Sequence, residues 1–117
     1  MKKITDKNEA LKAVKENGFA LYYASKELQN DKDVVLEAVK QNAWALFDAS
    51  KELRNDKEVI LEAVKKDGWV LELASEELRA DIEVVLEAVR ECGDALRFAS
   101  RELQNAIKKF NELTLKK

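Results

Sequence analysis

The sequence contains no histidine, no proline, one cysteine and only three glycines in 117 residues. Without histidine it lacks the commonest general base and a common metal ligand. A single cysteine, Cys92, can form neither a zinc cluster nor an internal disulfide. No glycine-rich phosphate loop or oxygen-rich calcium loop is present. These absences predict a protein that is not an enzyme and needs no metal or cofactor.

Neither sign of charge dominates, since 21 basic and 23 acidic side chains give a net charge of −2. A near-neutral chain offers no strong field for nucleic acid or an anionic membrane. No apolar run approaches the roughly 20 residues of a membrane span. The basic start, MKKITDKNEALKAV, is not followed by the apolar segment of a secretory signal. We therefore expect a cytoplasmic protein with no membrane partner.

What the chain does have is a 25-residue repeat. Residues 31–55 read DKDVVLEAVKQNAWALFDASKELRN, and residues 56–80 read DKEVILEAVKKDGWVLELASEELRA. The same pattern recurs more loosely at 6–30 and 81–105. Residues 106–117 break the register but keep an apolar stripe formed by Ile107, Phe110, Leu113 and Thr114. The sequence predicts one domain, 1–117, made of four units and a C-terminal capping helix over 106–117.

Each unit shows two helical patterns. In the second unit Asp31 is a suitable N-cap, and a wide apolar arc then runs to a stop near Asn42. At the same point the other units have glycine, which favours a left-handed C-cap. A second helix is predicted to end at Asn55, before the next cap at Asp56. Its apolar face consists of Ala45, Leu46, Ala49, Ser50 and Leu53.

Helices of about 10 residues are marginal when isolated, so the units are expected to bury their apolar faces against one another. The predicted fold is an all-α, right-handed solenoid of αα-hairpins with about nine short helices. Its first unit has Glu9 where the second has Val34, as a polar terminal face requires.

The two middle units resemble a family of short helical repeats known only as a domain of unknown function, whose members come from larger microbial and viral proteins. The resemblance rests on the pattern D-K-x-V-V-L-x-A-V-x-x-N-G-x-A-L-x-x-A-S and covers residues 6–105. It implies a helical array and no particular activity. The chain departs from the pattern at Ala43, Cys92 and Asp94. The near-identity of the middle units is also typical of an engineered or consensus array.

The polar residues that recur in every unit have structural interpretations. A nucleophile is not needed in four copies, so Ser25, Ser50, Ser75 and Ser100 are interpreted as small residues that let helices approach. Lys40, Lys65 and Arg90 follow glutamates by three residues, which predicts salt bridges within the helix. Cys92 lies at a helix C-terminus, which disfavours a thiolate, and is interpreted as structural.

An aromatic row is the candidate interaction surface. Two interpretations remain open, because the rings either anchor a partner or cover the apolar arcs of the first helices. The row opens the second helices and continues one turn later. It consists of Phe19, Tyr23, Trp44, Trp69, Leu73 and Phe98.

Three classes of function compete for this architecture. We expect a monomeric scaffold or interaction module for a protein or peptide, by analogy with other helical stacks. The alternative is a structural spacer or engineered array without a ligand. Nucleic-acid reading is less favoured, because the basic row with Lys15 and Lys40 runs beside glutamates.

Overall fold

The computed structural model describes residues 3–115, and these form the all-α repeat that the sequence predicts. The first helix of each unit begins 25 residues after the previous one. In chain order the helices are α1 (Lys7–Glu16), a 3-10 helix (Gly18–Tyr23), α2 (Lys26–Gln29), α3 (Lys32–Gln41), 3-10 helices (Ala43–Asp48 and Leu53–Asn55), α4 (Lys57–Lys66), a 3-10 helix (Gly68–Leu73), α5 (Glu76–Arg79), α6 (Ile82–Glu91), a 3-10 helix (Gly93–Phe98) and α7 (Arg101–Leu115).

An aspartate caps the first helix of every unit, as predicted. The carboxylate of Asp31 accepts the backbone N–H of Val34, and Asp56 does the same for Val59. Each cap satisfies one of the backbone donors left free at a helix N-terminus. The helix α3 then ends before Asn42, where the backbone is extended.

The second arm of each unit is not the single α-helix expected from the sequence. In the second unit, the side chain of Asn42 accepts the backbone N–H of Trp44 and starts a 3-10 helix. The chain becomes extended at Ala49, and Ser50 then caps a further short turn by accepting the N–H of Leu53. The recurring serines are therefore caps rather than residues inside a helix, because their hydroxyls replace lost backbone partners.

The glycines have a different role from the predicted left-handed caps, since no glycine in the described residues has a positive φ. A Cβ built on Gly18 would lie 2.5 Å from the carbonyl oxygen of Ala38 in the next unit. A Cβ on Gly68 would collide in the same way with the carbonyl oxygen of Ala88. Glycine is needed at these positions because the backbone of the next unit approaches closely.

The C-terminal helix starts earlier than expected. It runs from Arg101 to Leu115 instead of beginning at 106, and residues 116–117 of the predicted cap lie outside the described residues. In the other units an aspartate such as Asp81 ends one helix and caps the next, but this register position is Ala106. Without the competing side chain the helix continues through the boundary.

The core is a continuous column of apolar residues from all four units. Val34, Val59 and Val84 are fully buried against the preceding unit, whereas Glu9 at the same register is exposed. The stack measures 59 × 22 × 19 Å. None of the helices in the described part of the chain has the length and hydropathy to cross a bilayer.

Backbone hydrogen bonds also join consecutive units. The N–H of Ser50 donates to the carbonyl oxygen of Gln29 at 3.0 Å, and Ser75 repeats this bond with Arg54. In the first unit the N–H of Ser25 donates to Ile4, which stands 25 residues before Gln29. The segment around Ile4 therefore supplies the bond that a preceding unit supplies elsewhere.

A ladder of ion pairs runs along the same stack. Lys32 contacts Asp56 at 3.1 Å and Glu58 at 2.8 Å in the next unit, and Lys7 and Lys57 make equivalent pairs. Burial acts to raise the pKa of Asp56, but Lys32 and the N–H of Val59 hold that pKa below its usual value. Of the predicted pairs within a helix, the described residues contain only that between Arg90 and Glu87.

Candidate functional site

The structure divides the aromatic row into an exposed part and a half-buried part. Phe19 and Tyr23 in the first unit are 45% and 39% exposed. The remaining members are half-buried: Trp44, Trp69, Leu73 and Phe98. The row is therefore not one continuous exposed stripe.

The half-buried rings join neighbouring units. The indole N–H of Trp44 donates to Oδ2 of Asp67 at 2.7 Å, while Oδ1 of Asp67 accepts the backbone N–H of Trp69. The rings of Trp69 and Phe98 meet edge to face, with centroids 5.5 Å apart. This edge-to-face arrangement is a favourable geometry for an aromatic pair. In units two to four, the row thus covers and links the stack.

The exposed aromatic side chains form one wall of a groove at the first and second units, which we call the aromatic groove. It encloses about 600 Å³ and is lined by Phe19, Tyr22, Tyr23, Glu16 and Asp48, among others. Residues three apart eclipse one another in a 3-10 helix, so Phe19 and Tyr22 fall on the same side. Tyr22 and Tyr23 pack edge to face at 5.1 Å.

Asp48 gives the aromatic groove its electrostatic character. This carboxylate ends the second unit's 3-10 helix and is half-buried, and burial raises its pKa above 3.8. Among the described residues, no cation or hydrogen-bond donor contacts it. Asp56, by contrast, has Lys32 as a partner. Asp48 is a partly desolvated carboxylate that no basic group of residues 3–115 neutralises.

Basic side chains lie on the far side of the two tyrosines. A smaller depression there, of about 430 Å³, is lined by Lys3, Lys26, Tyr22 and Tyr23, among others. The tyrosine pair thus separates a basic side from an acidic one that contains Glu16 and Asp48. Within the part of the chain that the structure describes, the lining of the aromatic groove contains carboxylates and aromatic rings and no lysine or arginine.

The sequence-based list of site residues omitted Tyr22, Glu16 and Asp48. A signal for Asp48 was present, because the same register carries Tyr23, Leu73 and Phe98 in the other units. A carboxylate at a position that is apolar in the other units indicates that this side chain has a local role that an apolar residue cannot fill. Glu16 gave no such signal, since charged residues are common at the polar end of a surface helix.

Comparison with protein families identifies the family of the chain but assigns it no activity. The model of the family described as "domain of unknown function (DUF4116)" matches twice, at residues 6–54 and 56–104. Each match spans two of the 25-residue units, and together the matches cover most of the chain. Searches of curated proteins and of solved structures found no match. The chain belongs to this family of unknown function, as the repeat pattern predicted.

Proposed function

We propose that this member of the family is a non-catalytic interaction module whose aromatic groove holds a lysine or arginine side chain of a peptide segment. The observation that carries the proposal is Asp48, a half-buried carboxylate with no partner in the described residues, beside the exposed rings of Phe19 and Tyr22. A cation placed there would neutralise the carboxylate and lie against aromatic faces.

The energies of these contacts favour a cationic occupant. A cation over an aromatic ring contributes about 0.5–2 kcal/mol, depending on how far it is desolvated. A hydrogen bond to an ionised carboxylate adds about 1.5–3 kcal/mol. A neutral side chain can donate a hydrogen bond to the carboxylate, but it can neither compensate the negative charge nor make the cation–ring contact. The aromatic groove would therefore select for basic residues in an otherwise variable peptide.

Isothermal titration calorimetry with a capped pentapeptide tests the proposal. The peptide has one central arginine between glycines and serines, and the matched peptide has glutamine at the centre. We expect the arginine peptide to bind at least about tenfold more tightly. Asp48→Asn should abolish this preference, whereas Glu72→Gln, an exposed carboxylate in the third unit, should leave it unchanged.

The pH dependence provides a second readout of the same contact. Binding needs the ionised form of Asp48, so affinity should fall as the pH falls through the pKa of this residue. Because burial raises that pKa, the loss should begin at a higher pH than for an aspartate at the ordinary 3.8. Equal binding of both peptides would favour a spacer without a ligand. A preference that survives Asp48→Asn would contradict the assignment of the cation contact to Asp48.

A further inference from the structure

The depression lined by Lys3 and Lys26, which we call the basic depression, shares a wall with the aromatic groove. The wall is the ring pair of Tyr22 and Tyr23, whose centroids are 5.1 Å apart, and both side chains line both cavities. Asp48 lies on one side of this wall, and the two lysines lie on the other. An acidic subsite and a basic subsite therefore adjoin, with a single pair of rings between them.

The backbone fixes Lys3 beside the start of α2. The N–H of Ile4 donates to the carbonyl oxygen of Tyr23 at 2.8 Å, and the N–H of Ser25 donates to the carbonyl oxygen of Ile4 at 2.9 Å. These two bonds form a short parallel bridge between the start of the chain and the first unit. Because Lys3 precedes one arm of this bridge and Lys26 follows the other, the two lysines line the same depression although they are distant in the sequence.

Neither of these lysines has an acidic partner among residues 3–115. The basic residues in ion pairs there are Lys7, Lys32, Lys57 and Arg90. The described lining of the basic depression contains no aspartate or glutamate. Two ammonium groups in one depression create a positive potential that attracts an acidic group. The charge of the basic depression is thus opposite to that of the aromatic groove.

We propose that the bound peptide carries an acidic residue two positions from its basic residue, and that this second side chain lies in the basic depression. Because the same peptide crosses the tyrosine pair, this assignment rests on the proposed function. Side chains two residues apart in an extended chain point to the same side and lie roughly 7 Å apart. That spacing allows them to straddle one pair of rings, with the cation at Asp48 and the carboxylate at Lys3 and Lys26.

The same arrangement disfavours a polybasic segment. A second arginine two positions from the first would meet Lys3 and Lys26 instead of a carboxylate. Like charges placed together at an interface weaken binding and exclude the wrong partner. The partner is therefore a segment in which basic and acidic residues alternate with small ones.

Isothermal titration calorimetry with capped pentapeptides tests the proposal. Each peptide has arginine at its second position, glutamate or glutamine at its fourth, and glycine or serine elsewhere. The glutamate peptide should bind about threefold to tenfold more tightly than the glutamine peptide, as expected for exposed ion pairs. Because the rings alone do not set the chain direction, peptides with the two positions exchanged are also measured, and at least one order should show the gain.

The double variant Lys3→Gln and Lys26→Gln should bind the glutamate and glutamine peptides equally. Both side chains are exposed, so the variant should fold, which circular dichroism would verify. Lys51→Gln is the matched control, since Lys51 is an exposed lysine at the register of Lys26 but lines neither cavity. This control should retain the gain. In the unchanged protein the gain should shrink between about 0.05 and 0.5 M salt, because exposed charges are screened.

The outcomes separate this proposal from the proposed function. If the arginine peptides bind no better than their neutral counterparts, the proposed function fails and the assignment of the basic depression fails with it. If arginine is preferred through Asp48 but glutamate adds nothing in either order, only the role of the basic depression is overturned. A glutamate gain that survives the loss of both lysines would also overturn that role.

Discussion

Gly68 and Gly93 occupy the same register of neighbouring units, yet they have different roles. Nothing larger than glycine fits at Gly68, because the carbonyl of Ala88 lies against it. At Gly93 the space is open. Both residues have negative φ, so backbone conformation does not distinguish them. The comparison shows that the following unit, and not the local sequence, determines what a residue contributes in this array.

The interfaces between units also differ from one another, because the residue at the glycine register differs. The second unit has Ala43 where Gly18 and Gly68 allow close approach in the first and third. Correspondingly, α3 and α4 pack together less extensively than α1 and α3 or α4 and α6. Because a Cβ at Gly18 or Gly68 would collide with the next unit, the Cβ of Ala43 requires a wider separation at this interface. This looser interface lies where the two family matches meet, between residues 54 and 56.

Leucine truncation should give the largest difference in the loss of unfolding free energy between the third and fourth units. Leu71 is fully buried, whereas Leu96 is half-buried at the same register. Leu71→Ala should reduce the free energy of unfolding by about 2–5 kcal/mol, because it leaves a cavity. Leu96→Ala should cost less than about 2 kcal/mol.

Urea unfolding measures the loss in free energy of unfolding for both leucine variants. Equal losses at the two positions would mean that the fourth unit is packed as tightly as the third. Leu46→Ala, which truncates another fully buried leucine, provides a control for the third-unit value.

Replacing glycine with alanine should give a smaller difference in the free energy of unfolding between the two units, again with the larger loss in the third unit. Gly68→Ala should cost about 1–3 kcal/mol, since the next unit must move away from the new Cβ. Gly93→Ala should change stability by no more than about 0.5 kcal/mol, because its φ suits alanine and the space is open. Thermal unfolding compares the two variants, and a Gly93→Ala loss as large as that of Gly68→Ala would contradict this explanation.

The sequence predicted the repeat and the first helices well because their signals are strong and recur. Asp31 and Asp56 cap helices, and Leu46 and Leu71 are buried, as the periodicity indicated. The second arm was mispredicted because a six-residue 3-10 helix is too short to display its own period. The recurrence of Ser50 before a short helix was a usable capping signal. So was Ala106, where a capping aspartate is missing.

The site was less predictable than the fold, because it depends on contacts between units. The Trp44 to Asp67 hydrogen bond joins residues 23 apart and has no local sequence signature. The row of rings could therefore be identified from the sequence. Which of the rings are buried by the neighbouring unit could not. Asp48 became notable only when the structure placed it beside Tyr22 in a groove whose described lining contains no cation. Its anomalous register was the one clue in the sequence.

Hydrogen exchange tests the central claim most directly, using two backbone bonds that are locally alike. The N–H of Ala74 donates to Leu71 and that of Ala99 to Leu96, both at 3.1 Å. If packing of the next unit governs local stability, the amide of Ala99 should exchange at least about tenfold faster than that of Ala74, after correction for intrinsic rates. Equal protection of the two amides would contradict the account, because the open face of the fourth unit would then have no energetic consequence.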